Sequence, residues 1–383
     1  GMLTIEGCRG RQERFLARLE EAGVPAALIS HPRDIYYFTG VLPEGVVYAY
    51  PSLLFLGPGL KSWLVTGLAD GEAAVDEKLV YPINELYTMN PDNHRRLSEV
   101  VSGPAGRTPN LARLGFQGEA LSHSVASAVE AAAPPREWAA IDSIVLDLQL
   151  RKDPDEVACI RRAVSATLAG YTRAQQVLQP GVSELEVMTE CQMAAQRHSR
   201  QVHFFNGDFQ AGAFGGFARD RKIEKGELYI IDAWSDLGGY WCDMARTWSV
   251  GGEPTDLQAS VYAHVAEVLT AVPSMARVGR STIEMWAELD ERLREHPHLA
   301  ETGLITHGGH GIGLRAHEGP DLNRDRGGVF EVGNVFTCEP GGYSDELRRG
   351  IRLENLFHVT NNGVELLSPY PLSVVPDPLC PLP

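Results

Sequence analysis

Carboxylates embedded in apolar, strand-like runs constrain this chain more than any other feature. Asp232 closes the run Leu228-Tyr229-Ile230-Ile231, which reads as a buried strand. Glu339 follows Val335-Phe336-Thr337-Cys338, and Glu354 alternates with Ile351 and Leu353 in another strand-like stretch. A carboxylate set in a buried strand costs several kcal/mol unless it is paired or coordinated. Three of them in one chain call for a shared cation.

Two more residues join the set. Asp243 lies eleven positions after Asp232, a spacing that fits two neighbouring antiparallel strands with the turn at Asp236-Leu237-Gly238-Gly239. Both side chains then face one site. His310 sits in His307-Gly308-Gly309-His310-Gly311-Ile312-Gly313-Leu314. Alone, any of these is more simply a solvated charge or a core histidine. Together, four carboxylates and one imidazole form a hard, oxygen-rich ligand set. It suits a pair of divalent ions bridged by water or hydroxide better than one structural zinc. The chemistry implied is metal-dependent hydrolysis.

Glycines surround His310, but the stretch lacks the strand–turn–helix setting and later ribose-binding acid of a dinucleotide site. They instead let backbone approach closely. Neither a nucleophile-elbow serine motif nor a phosphate-binding loop occurs.

At 383 residues the chain exceeds one typical domain. Up to residue 147, helical and strand-like segments alternate: a helix over Arg11–Gly23, strands at Ala26–Ile29, Leu53–Leu56 and Trp63–Thr66. That predicts a small α/β domain with a mixed sheet. Ile141–Leu150 reads as strand-like. Beyond it, Pro154 and the following acids open a helix to about Gln179, stopped by Pro180-Gly181. Ser183 with Glu186 forms a capping box for the next helix. Helices follow over about Leu257–Ala276 and Ser281–Glu295. The domain division predicted is 1–147 and 148–383, with all five ligands in the second, an α+β layout of helices flanking an antiparallel sheet.

The net charge of −16 disfavours nucleic acid and anionic lipid as partners. No apolar stretch is long enough to span a bilayer, and the first residues lack the apolar core of a signal peptide. Six cysteines are scattered without a Cys-x-x-Cys pair, so a disulfide framework is not expected and a reducing cytoplasm is favoured. Cys242 and Cys338 each precede a ligand, so strand alternation points both thiols away from the metals.

Set in order, these motifs resemble the creatinase / aminopeptidase P / prolidase family. Ser30-His31-Pro32-Arg33-Asp34-Ile35-Tyr36-Tyr37-Phe38-Thr39-Gly40 is similar to its N-terminal signature, and Arg151-Lys152-Asp153-Pro154-Asp155-Glu156 to the opening of its catalytic domain. The resemblance implies a pita-bread catalytic domain behind an N-terminal α/β creatinase-like domain, and a homodimer. It implies that Asp232 binds one metal, that Asp243 and Glu354 bridge both, and that His310 and Glu339 complete the second. The family's metals are manganese, cobalt or zinc, and the oxygen-rich set favours manganese. Glu339 is then placed to take a proton from the attacking water, His317 to contact substrate or the tetrahedral intermediate, and Arg352 to lie near the site. The activity implied is that of an Xaa-Pro dipeptidase or aminopeptidase acting on small peptides.

One departure bears on substrate. The family's hydrolases carry a further histidine shortly before the first metal aspartate, whereas here Ala213-Phe214-Gly215-Gly216-Phe217-Ala218-Arg219-Asp220 has none. His203, further upstream, is the nearest replacement on the substrate side. His307, three before His310, is offset differently from the family's comparable histidine and is either substrate-binding or structural. The altered loop motivates a second reading, cleavage of a non-peptide C–N bond. A third is a pita-bread binding module without catalysis.

Overall fold

The computed structural model describes residues 2–44, 50–83, 92–109 and 111–382. They form two compact units, Met2–Gln149 and the segment from Leu150 onward.

The first unit is α/β. In chain order it runs α1 (Ile5–Glu21), β1 (Ala27–Ile29), α2 (Pro32–Thr39), β2 (Leu53–Leu56), β3 (Trp63–Thr66), β4 (Glu77–Val80), α3 (Asn93–Gly106), β5 (Arg113–Phe116), α4 (His123–Ala132), β6 (Glu137–Ala140) and α5 (Asp142–Gln149). The sheet order is β4-β3-β2-β1-β5-β6. It is mixed: β1 and β3 both pair antiparallel with β2, while β5 runs parallel to β1 and β6. Leu28, Phe55, Val65 and Leu114 of the strands bury against Leu97, Val101 and Val129 of α3 and α4. One expectation fails here: Ile141–Leu150 is not a strand, because most of it is α5. Its apolar residues Ile141, Ile144, Val145 and Leu148 recur at helical spacing, and Ile141, Val145 and Leu148 are the ones buried.

The second unit is α+β. It opens with α6 (Pro154–Val177) and α7 (Glu184–Ser199), each started by a capping box, Asp153 with Glu156 and Ser183 with Glu186. A three-stranded antiparallel ribbon follows: β7 (Phe204–Ala211), β8 (Leu228–Leu237) and β9 (Tyr240–Ser249). The turn between β8 and β9 is Gly238-Gly239, both with positive φ, the backbone that a two-residue hairpin of this twist requires. Then come α8 (Asp256–Thr270), α9 (Val272–Met275) and α10 (Thr282–Arg294). The chain ends in β10 (Gly309–Gly311), β11 (Glu318–Leu322), β12 (Val335–Cys338), β13 (Gly341–Ser344), β14 (Arg349–Arg352), β15 (Asn355–Thr360) and β16 (Gly363–Leu366).

Strands β11-β10-β12-β15-β16 make a second sheet, and β13 and β14 a small hairpin. Val261, Val265 and Leu289 of α8 and α10 bury with Phe336 and Phe357 of that sheet. α6 is tied to the ribbon by Tyr171, which is fully buried and whose hydroxyl reaches the Met244 carbonyl while accepting from the Ala233 amide at 3.2 Å. Contrary to the strand expected for it, Glu354 lies in the two-residue break between β14 and β15. There its amide donates to the Ala245 carbonyl at 3.0 Å, which holds the break against β9. No helix among the described residues is long and apolar enough to cross a membrane.

Candidate metal centre

Alternation along the ribbon determines which side chains meet. Asp232 on β8 faces Ala245 on β9, and Trp234 faces Asp243. The two aspartates are therefore diagonal neighbours on one face of the sheet. Cys242, adjacent to Asp243, points to the other face, where burial raises its thiol pKa; Cys338 is likewise fully buried. His310 lies in β10, Glu339 follows β12 with its amide donating to the Gly308 carbonyl at 3.0 Å, and Glu354 occupies the break described above.

These elements bring all five predicted ligands together. Oxygens of Asp232, Asp243 and Glu354 lie within 4.8 Å of one another, and so do ligand atoms of His310, Glu339 and Glu354. Glu354 belongs to both groups, so the two adjoin. His310 Nε2 is 3.6 Å from Asp243 Oδ2 and 3.8 Å from Glu339 Oε1. Asp232 Oδ1, Asp243 Oδ1 and both Glu354 oxygens are buried without a hydrogen-bond partner. Buried, unpaired carboxylate oxygens in such a cluster are strongly unfavourable unless a cation neutralises them. The donor set therefore fits divalent metal.

The electrostatics of the metal-free site say the same. Burial, and then the Asp232 charge, raises the Asp243 carboxyl well above its ordinary value. Burial followed by Asp243 does so for Glu354. Glu339 is pushed up to about 8 by burial and by Asp232. His310 falls to about 3, chiefly through burial and secondarily through His317, so its ring is neutral, the form that ligates metal. His317 stacks on His310 with ring centroids 3.7 Å apart. His307 reaches the same cluster, its Nδ1 3.4 Å from Glu339 Oε1. Burial also lowers the pKa of both rings.

Arg352, at the end of β14, is the cation inside this acidic pocket. Its Nη1 donates to Asp232 Oδ2 at 2.5 Å and to Asp208 Oδ2 at 2.9 Å, its Nε to Tyr343 Oη at 2.8 Å, and its Nη2 to the Phe214 carbonyl at 3.0 Å.

His203 is a correction. Asp208, not His203, is the β7 residue facing Asp232 across the ribbon, while Phe204 faces Asp236. His203 thus precedes β7, whose first residue Phe204 is already paired with Asp236, four positions along β8 from Asp232. Its Nδ1 is instead 3.2 Å from the Gln201 carbonyl and 3.3 Å from Ser199 Oγ, at the junction of α7 and β7. Sequence reasoning overlooked Asp208 and Tyr343. For Asp208 a signal existed: Phe205 and Phe209 alternate with it in β7, so they take the buried face and leave Asp208 on the other.

The model of metallopeptidase family M24 matches residues 158–361, and that of the Creatinase/Prolidase N-terminal domain matches residues 11–150. The chain belongs to metallopeptidase family M24. Among relatives in this family, an Xaa-Pro dipeptidase of Pyrococcus furiosus is 25% identical over 94% of this chain and 97% of its own length. An Xaa-Pro aminopeptidase of Escherichia coli is 29% identical over 59% of this chain and 57% of its own. The solved prolidase of Pyrococcus horikoshii superposes with a TM-score of 0.76 at 21% identity, covering 96% of this chain and all of that one. An X-Pro aminopeptidase of Thermotoga maritima gives 0.72 at 23% identity over 95% of this chain and 99% of that one. The pita-bread catalytic fold with its creatinase-like N-terminal domain, and the metallopeptidase class, follow for this M24 member.

Proposed function

We propose that the chain is a dinuclear-metal Xaa-Pro peptidase, a dipeptidase or aminopeptidase cleaving before proline. The observation that carries this is the pair of adjoining acidic groups sharing Glu354, with oxygens of Asp232, Asp243 and Glu354 left unpartnered. Asp232, Asp243 and Glu354 would hold one divalent ion, and His310, Glu339 and Glu354 the other, with Asp243 reaching towards both. Manganese is the metal best matched to so many oxygen donors, with cobalt and zinc as alternatives. When bound, such a pair lowers the pKa of a shared water towards neutrality and polarises a substrate carbonyl.

The chain's own residues supply the rest. Glu339, whose carboxyl titrates unusually high before metal enters, takes the proton from the attacking water. His317, on the open side of His310, donates to the oxyanion that develops on the scissile carbonyl. His307, reaching Glu339, holds the substrate side, and Arg352 orients Asp232. The names of the full-length relatives support the Xaa-Pro assignment. The same reading takes 1–147 and 148–383 as domains, and the protein as a cytoplasmic homodimer, which light scattering would test.

The test is hydrolysis of Xaa-Pro dipeptides and longer Xaa-Pro peptides by manganese-loaded protein, with the metal content measured. Cleavage with about two ions per chain supports the reading. Bound metal without cleavage of either class removes the peptidase assignment and favours a C–N hydrolase of another substrate. The specific observation behind that second reading is the loop after β7, where Gly215 is pressed against Asp208 and no imidazole enters.

A further inference from the structure

We infer that Asp208 is a positioning residue for the metal centre: it takes the Arg352 guanidinium so that the Asp232 carboxylate is free to bind a cation. This rests on the metal-hydrolase reading above.

Asp208 and Asp232 are direct partners across β7 and β8, and like charges directly opposite on a sheet are destabilising. Arg352 Nη1 sits between them, 2.9 Å from Asp208 Oδ2 and 2.5 Å from Asp232 Oδ2. A guanidinium terminal nitrogen carries two hydrogens, so Nη1 serves one carboxylate with each. Of the other three N–H donors, Nε goes to Tyr343 Oη and one on Nη2 to the Phe214 carbonyl. If Asp208 were absent, Asp232 would be the sole acid facing Nη1, and a cation drawing on Asp232 would compete with the full ion pair. With Asp208 present, the guanidinium keeps a carboxylate partner whichever way Asp232 turns.

The surrounding backbone is shaped for this pair. A Cβ on Gly215 would lie 2.1 Å from Asp208 Oδ2 and 3.3 Å from Arg352 Nη2, and the residue has φ +145. Only glycine lets that loop close over the two side chains. The place nearest Asp232 on this side is thus filled by a carboxylate–guanidinium pair.

The role separates from an ordinary salt bridge by the sign of its stability effect. Asp208 sets a second carboxylate directly opposite Asp232 beside one guanidinium. Replacing it with the isosteric amide relieves repulsion there, whereas loss of a structural salt bridge would lower the melting temperature.

The experiment is calorimetric titration of Mn2+ into metal-free full-length wild type, Asp208→Asn, Arg352→Met and the double variant, with melting curves of each metal-free protein. The expected result is at least fivefold weaker Mn2+ binding in Asp208→Asn, with a metal-free melting temperature equal to or above that of wild type. In the Arg352→Met background, Asp208→Asn should change affinity by less than twofold, because its effect passes through Arg352. Wild-type affinity in Asp208→Asn, a lowered metal-free melting temperature, or equal weakening in both backgrounds would each overturn the inference. If wild type itself takes up no Mn2+, it is the underlying metal-hydrolase reading that fails.

Discussion

At the scale of single residues, the site is a problem in charge. Four carboxylates share a buried pocket with Arg352 and Asp208, an arrangement that bound divalent cations would stabilise. Asp243 clusters with Asp232 and Glu354 and lies 3.6 Å from His310 Nε2, so Asp243→Ala is expected to reduce bound metal below two ions per chain and turnover by at least about 100-fold. Elemental analysis with a peptidase assay measures both, and unchanged stoichiometry would refute its role. Glu339 makes a prediction about pH. Its carboxyl, raised from 4.5 to about 8, stays protonated in the folded metal-free protein at pH values where the unfolded chain has already released the proton. Its contribution to stability is therefore full below about pH 4.5 and is lost as pH rises to about 8. His310, with its pKa lowered from 6.5 to about 3, acts oppositely: its contribution is present above pH 6.5 and lost as pH falls below it. Above pH 6.5 the opposing slope from His310 and the other histidines with lowered pKa tapers off, and the raised carboxyls of Asp243, Glu339 and Glu354 dominate towards pH 8. Metal-free protein should melt progressively lower across that window, and Glu339→Gln should flatten the decline. A melting temperature that rises across it would contradict the assignment.

At the scale of elements, hairpin geometry and one buried arginine hold the ligands in register. Arg246 on β9 is fully buried. It donates to the carbonyls of Ala245, Glu354 and Tyr370 at 2.7 to 2.8 Å and to Asn355 Oδ1 at 2.8 Å. It thereby fixes the break between β14 and β15 where Glu354 sits. Arg246→Met leaves those buried acceptors unpaired and should cost about 3–5 kcal/mol, read as a lowered denaturation midpoint. Metal affinity should fall with it, since Glu354 loses its anchor; a variant with full affinity would detach Arg246 from the site. Much at this scale was legible in the chain. The β8–β9 turn, the proline and acids that start α6, the capping box of α7, and the pairing of Asp232 with Asp243 on one face all follow from local spacing. Two readings failed, one against a local pattern and one against pairing that lies beyond it. Ile141–Leu150 is apolar enough for a strand, and only its i, i+3, i+4, i+7 recurrence marks α5. Glu354 alternates with Ile351 and Leu353, yet the strand breaks beside it, because β14 and β15 join different sheets.

At the scale of the molecule, every proposed ligand belongs to the unit from Leu150 onward, while the first unit has its own sheet and core. Removing metal with a chelator should therefore increase amide exchange most in β8, β9, β12 and the 353–354 break. The strands β1, β2 and β5 should change least. Exchange mass spectrometry measures this, and an equal rise in both units would count against a site confined to the second.

The sequence by itself determined the kind of chemistry. Carboxylates placed in apolar strand-like runs have no stable explanation without a cation, and the order of the motifs identifies the family. Only the tertiary structure decided which polar neighbours surround those carboxylates. His203 and Asp208 are five residues apart on the same chain; alternation with Phe205 and Phe209 marks the face that Asp208 takes, but it does not say which residue meets Asp232. The register of β7 on β8 does: a strand advances about 3.3 Å per residue, so pairing puts Asp208 beside the site and carries His203 to the far end of the ribbon.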